Sequence, residues 1–303
     1  RPPRRPGEEM RLFKDALARR GMGLVTALPG LLVLLIVIGL FLKSKAILGV
    51  EPLSRLLFSS AWHPLKGQFG LLPFITGTIW VTVTALVLAV PVSILAAIYL
   101  SEYAPRWVRE AAKPVVDLLA GLPSVVYGVW GVIMVVPFVG RVLAPLAGVY
   151  SSGYSILAGG IVLAIMTFPT IIHVTLEVFA SVPRSLRDAS LSLGATKWET
   201  TRHVVLRKGA QGILAASVLG FSRAFGETMA VLMVVGNVPA VPRSLFDAGY
   251  PLPALIANNY GEMMSIPRYD AALMTAALVL MLIVLFFNVL ARRILVRVEK
   301  RVR

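Results

Sequence analysis

The chain has 303 residues, 57% of them hydrophobic, with no cysteine, a formal net charge of +15 and a mean hydropathy of +0.80. A soluble domain is nearer half apolar; here the excess is gathered in blocks close to the roughly 20 residues that cross a bilayer as a helix, and disulfides, thiolate metal sites and cysteine nucleophiles are excluded. The positive charge does not point to nucleic acid: of 30 Lys and Arg, seven lie in 1–22, six in 184–208 and six in 292–303, beside apolar blocks, where basic residues set membrane topology.

Residues 1–22 read as a polar, Pro- and Arg-rich cytoplasmic tail. An added N-terminal transmembrane helix is expected over 23–42; no small-residue cleavage site comes after it and more spans do, unlike a signal peptide. An extracytoplasmic connector covers 43–70. A core over 71–291 then holds five further spans, Leu71–Leu100, Val115–Val136, Tyr154–Ala180, Gln211–Val235 and Ala271–Leu290. Pro91 falls inside the first of these five and Pro123 inside the second, and each is a site for a kink. Residues 137–153 form a Gly- and Pro-rich loop. A basic cytoplasmic loop covers 181–209. The loop 236–270 carries five prolines, with room for a re-entrant helix over 244–260. A basic cytoplasmic tail, 292–303, ends the chain. Trp62, Trp80, Trp107 and Trp198 lie near span ends, where amphipathic rings settle at the interface.

With both termini in the cytoplasm, 22 of the 30 basic residues fall on the cytoplasmic side and seven outside. That bias fixes the expected orientation. The expected class is an all-α integral membrane protein with six transmembrane helices.

The segment Val182–Leu206 is the most informative. It reads as a short amphipathic helix, a break at Gly194 and a second helix. Glycine takes φ > 0 without a Cβ penalty and so turns the chain sharply. A helix–Gly–helix knob suits docking into a groove on a soluble partner. The segment resembles the EAA loop of ABC-importer permeases. Asp188, Ala189 and Ser190 hold the Glu-Ala-Ala positions. Gly194, followed by Ala195, falls at the expected glycine. Val204 and Leu206 hold the later Ile and Leu positions. Asp replaces Glu, Ser replaces the second Ala, and Arg207 stands where proline is usual.

Further wording narrows the resemblance: Gly70-Leu-Leu-Pro-Phe-Ile-Thr-Gly-Thr78, Leu100-Ser-Glu-Tyr-Ala-Pro105, Leu119-Ala-Gly-Leu-Pro-Ser-Val-Val-Tyr-Gly-Val-Trp-Gly131 and Gly226-Glu-Thr-Met-Ala-Val-Leu-Met-Val-Val-Gly-Asn237. Together these are similar to the PstC-type permeases of ABC phosphate importers, over roughly 65–290. The resemblance implies a type I importer permease fold and a heterodimer with a PstA-type sister permease. It also implies two ATP-binding cassette subunits, an extracytoplasmic phosphate-binding protein and a cell-membrane location. The chain has no Gly-x-x-x-x-Gly-Lys-Ser/Thr segment, so ATP-Mg is expected on the partner ATPase and no cofactor on this chain. Permeases for sulfate or molybdate, a non-transporting scaffold or signalling subunit, and a channel are the competing readings; a docking loop has no use in a channel.

Five charged or imidazole side chains fall inside the expected spans. Arg223 and Glu227, four apart on one expected helix, share a face and stand close enough to pair; Arg offers a planar fork that matches phosphate oxygens, so both are expected on the substrate path, with Glu227 neutralising Arg223 when the path is empty. Asp117 reads as an interfacial acid, and His173 with Glu177 as a structural i, i+4 contact with no metal-site pattern.

Overall fold

The computed structural model describes the backbone of residues 6–262, 266 and 268–302. Residues 1–5 of the expected N-terminal tail, 263–265 and 267 of the expected 236–270 loop, and 303 of the basic C-terminal tail lie outside the described residues. Helices α1 (Pro6–Leu48) and α2 (Leu53–Phe58) come first. Next is a two-stranded antiparallel hairpin, β1 (Trp62–His63) on β2 (Gln68–Phe69), with Trp62 opposite Phe69. The chain then runs through α3 (Leu72–Tyr103), α4 (Arg106–Gly121), α5 (Ser124–Leu146), α6 (Ile156–Ser181), α7 (Arg184–Ser192), α8 (Lys197–Gly226), α9 (Met229–Val234), α10 (Leu252–Asn259) and α11 (Tyr269–Val302). Six of these, α1, α3, α5, α6, α8 and α11, are long and apolar enough to cross a membrane, so the chain is a multi-pass membrane protein.

Several boundaries move from their expected places. Helix α1 is continuous from Pro6 to Leu48, so it takes in most of the polar tail and the start of the connector. The third span is not Val115–Val136 with an internal kink. Pro123 sits in extended backbone (φ −60°, ψ 142°) between two helices. Proline disfavours helical geometry in the residue before it, and Leu122 is extended too (φ −65°, ψ 134°). On the N-terminal side of this break lies a separate amphipathic helix, α4, and on the C-terminal side the span itself, Ser124–Leu146. Much of the expected 137–153 loop is therefore helical. Span five begins earlier than Gln211, at Lys197, and stops at Gly226; α9 is a separate two-turn piece. Within 236–270 the helix is short, Leu252–Asn259.

Helices α3 and α6 form the centre. Small residues bring them together: Gly160 lies against Thr84 and Gly159 against Val81. In a bilayer such close backbone approach supplies the dispersion contacts that hold helices together. Helix α8 closes on α6 in the same way, with Gly220 against Ile171 and Gly212 against Val178. At the end bearing the hairpin, Trp62, Phe69, Phe74, Tyr250 and Tyr269 form edge-to-face pairs with centroids 4.8–6.2 Å apart. Trp62 is thus a packing residue in this cluster and not a free interface anchor. Thr78 Oγ1 accepts from the Leu252 backbone N–H (2.8 Å), which fixes α10 onto α3. Helix α1 packs along α11 and leaves side chains such as Leu24 and Leu35 exposed, as a helix apolar all round does when lipid or a partner surrounds it.

Candidate functional site: the helix–glycine–helix loop and the Arg223 face

The projecting loop is built by local chemistry. Helix α6 ends at Ser181, and Pro183, extended at φ −58° and ψ 137°, precedes α7. Helix α7 stops because Gly194 enters the left-handed region at φ +85°, with its N–H donating to Leu191 O (3.0 Å). Two residues later a capping box starts α8. Thr196 Oγ1 accepts from Glu199 N (3.2 Å), and Glu199 Oε2 accepts from Thr196 N (2.8 Å). The reciprocal pair satisfies two orphan donors of the new helix. Ser190 and Thr200 hydroxyls meet at 2.9 Å and tie the two helices to each other. At the bend Leu193 is 89% exposed, an apolar tip that the fold itself does not bury.

Of the residues expected in this loop, Asp188 and Ala189 lie exposed on α7, Ser190 makes the bridge to α8, and Gly194 and Ala195 make the bend. Val204 and Leu206 are half-buried, and the residue between them, Val205, is fully buried against Ala97, Ile98, Phe179 and Val182. Thr201–Val205 is a π turn, which adds one residue to the helical register and shifts the inward-facing position.

The loop is held at its base by residues the motif does not include. Arg187 of α7 donates Nη2 to Glu102 Oε1 (3.0 Å) and to Phe179 O (2.9 Å), and Nη1 to Val182 O (2.6 Å). Glu102 also accepts from Ser101 Oγ (2.9 Å) and sits in a π turn, Tyr99–Tyr103, that ends α3. The Arg187 and Glu102 side chains are only 18% and 11% exposed, so the pair is largely withdrawn from water. Its one legible signal was opposite charges at two span ends expected on the same side. A 630 Å³ cavity opens beside it, lined by Arg109, Arg184, Asp188, Lys197 and Thr200 among others.

Arg223 and Glu227 do not pair. Helix α8 ends at Gly226, and Glu227 is extended (φ −74°, ψ 124°). Its carboxylate instead accepts from Ala230 N (3.2 Å) in the first turn of α9, where an acid suits the helix dipole. Arg223 reaches across to α6 and donates Nη1 to Thr170 Oγ1 (2.9 Å). The i, i+4 argument fails because the helix it assumes ends between the two residues. Asp117 lies on α4, not at a span end, and its Oδ1 is 3.8 Å from His173 Nδ1. Glu177 Oε1 is 3.6 Å from His173 Nε2, the expected i, i+4 contact.

Residues 89–303 match the family of binding-protein-dependent transport system inner membrane components. The chain is 39% identical over 253 residues to the probable ABC transporter permease protein YqgH of Bacillus subtilis, covering 83% of this chain and 80% of that one. It is 36% identical to the phosphate transport system permease protein PstC of Xylella fastidiosa, covering 80% of this chain and 79% of that one. For PstC of Haemophilus influenzae the identity is 33%, with 91% and 92% covered. In fold it is similar to a chain of a bacterial alginate ABC transporter solved with an alginate pentasaccharide-bound periplasmic protein. There the TM-score is 0.62 at 21% identity, covering 94% of this chain and 98% of that one. A chain of the inward-facing MetNI methionine ABC transporter gives 0.54 at 20% identity, covering 82% and 98%. The chain therefore belongs to the binding-protein-dependent transport system inner membrane component family, with the six-span permease fold of ABC importers.

Proposed function

We propose that this chain is the permease subunit of an ATP-driven importer of inorganic phosphate and forms half of its translocation path. The observation that carries the reading is the projecting α7–Gly194–α8 loop with its exposed Leu193 tip, a shape suited to a groove on a soluble partner. The choice of anion is supported by relatives described as phosphate transport system permease proteins. It is also supported by Arg223, whose guanidinium fork suits phosphate oxygens.

In this reading a PstA-type sister permease supplies the other half of the path. Two ATP-binding cassette subunits bind and hydrolyse ATP-Mg beneath the loop, and an extracytoplasmic phosphate-binding protein delivers the anion. Both termini lie in the cytoplasm, on the side that holds 22 of the 30 basic residues. Motion of the cassettes enters through Asp188–Gly194. It passes to α3 through Arg187 and Glu102 and to α6 through the Arg187 bonds to Phe179 O and Val182 O. A rigid knob of this kind lets the spans rock between two access states.

Reconstitution with the sister permease, cassette subunits and phosphate-binding protein in liposomes tests the reading. The expected result is ATP-dependent uptake of labelled phosphate that a large excess of sulfate does not compete away. Sulfate or molybdate uptake in its place would assign another oxyanion. Failure to transport or to stimulate the ATPase would assign a non-transporting scaffold.

A further inference from the structure

Thr170, His173 and Glu177 stand at i, i+3 and i+7 on α6, which places them on one helix face. Arg223 of α8 is bonded to the first of them at 2.9 Å. Asp117 of α4 faces the second at 3.8 Å, and Glu177 faces the other ring nitrogen of His173 at 3.6 Å. The three residues make a polar strip that starts at Arg223, has α8 on one side and α4 on the other, and runs toward the loop end of α6. At about 1.5 Å per residue, His173 and Glu177 lie about 12 Å and about 6 Å inside the α6 terminus at Ser181.

The side chains of Asp117, His173 and Glu177 are 66%, 57% and 71% exposed. An ionised side chain facing hydrocarbon costs about 2.5–3.5 kcal/mol at a helix centre on insertion scales. With Asp117 of α4 beside them, the two titratable groups of the strip, His173 and Glu177, do not suit a lipid face. The outer faces of α1 and α11 show the contrast, exposing Leu34, Leu35, Leu285 and Phe286. None of the three groups caps a helix or bonds the backbone among the described residues, and their contacts with one another, at 3.6 and 3.8 Å, are made by well exposed side chains.

We propose that this strip is the exit half of the anion path. Thr170 and His173 are the contacts that come after Arg223, and Asp117 and Glu177 are the carboxylates that keep the anion moving. The proposal rests on the reading of the chain as a phosphate permease. A phosphate leaving Arg223 next meets the Thr170 hydroxyl and a ring N–H of His173, both donors. Asp117 and Glu177 compete for the same imidazole, so no contact on the strip becomes a trap. Arg109 and Lys113 share a 250 Å³ cavity with His173, which provides cations at the mouth.

The chain contains no cysteine, so single cysteines report directly on the path. Thr170→Cys, His173→Cys and Glu177→Cys are each placed in the complete transporter in inside-out vesicles. They are then exposed to a membrane-impermeant thiosulfonate, with the lipid-facing Leu285→Cys as control. His173→Cys and Glu177→Cys are expected to import more slowly than wild type before labelling, to react at least about tenfold faster than Leu285→Cys and to lose the remaining import on modification. Labelled Thr170→Cys is expected to lose import too, and bound phosphate is expected to slow its labelling severalfold. Reaction no faster than at Leu285→Cys, or full labelling that leaves import intact, overturns the proposal. Glu177→Cys gives the reading if His173→Cys does not assemble. Arg223→Gln is measured alongside. If it imports at the wild-type rate, the phosphate-permease path itself is wrong; if it is inactive while position 173 stays unlabelled, only the exit strip is.

Discussion

Arg187 reaches from α7 back to Glu102 at the end of α3, 85 residues away in sequence, and bonds it at 3.0 Å while also holding two carbonyls of the α6 terminus. The loop is thereby fixed to two central helices at once. Removing one member of a largely buried ion pair leaves an uncompensated charge, at about 3–5 kcal/mol when burial is complete and less here, where some water reaches it. Glu102→Gln and Arg187→Leu are expected to lower the melting temperature of the assembled transporter and to cut import severalfold more than ATPase activity. A double-mutant cycle on thermal stability should show coupling of about 0.5–3 kcal/mol. Additive single effects would remove the pair from the coupling route.

Gly194 gives a graded test of backbone geometry. A Cβ built there meets nothing within 4 Å, and φ is +85°, so any penalty comes from the left-handed backbone alone. Asn tolerates that region, Ala pays about 1–2 kcal/mol, and β-branched residues fare worst. Co-purification of the cassette subunit should fall in the order Gly194, Gly194→Asn, Gly194→Ala, Gly194→Val. Equal recovery of all four would show that the bend is not needed for docking.

At the centre, a Cβ on Gly160 would stand 2.5 Å from Thr84 Cγ2 and 2.8 Å from Thr84 Cβ. Gly160→Ala should destabilise the subunit by about 1–3 kcal/mol through overpacking, and Gly160→Leu should prevent assembly. Gly30→Leu on α1, where a Cβ meets nothing within 4 Å, should leave the thermal melt unchanged. A melt equally sensitive at both positions would contradict the α3–α6 contact.

Arg223 is oriented by Thr170, not by Glu227. Phosphate uptake should fall at least about tenfold in Arg223→Gln, consistent with loss of one charged hydrogen bond of about 1.5–3 kcal/mol. Thr170→Val should lower uptake severalfold with Arg223 still present. Glu227→Gln should act on the start of α9 and show in stability as well as uptake. Wild-type uptake in Thr170→Val would leave the hydroxyl without a role.

The amino-acid sequence by itself determined the six apolar spans, the glycine bend and the loop between the fourth and fifth spans. Each depends on chemistry held in contiguous residues. A run long enough to cross a bilayer, a residue free to take φ +85° and a Thr–Glu capping pair need no distant partner. Tertiary structure decided what that chemistry serves. Pro123 was expected to kink one continuous span, and the chain breaks there instead, which makes α4 a separate helix and puts Asp117 beside His173. Arg223 and Glu227 had the spacing of a pair, but α8 ends at Gly226 and each finds another partner. Arg187 with Glu102, and Arg223 with Thr170, join residues far apart in the chain. Such pairings depend on how helix faces pack, and spacing along one helix does not encode that.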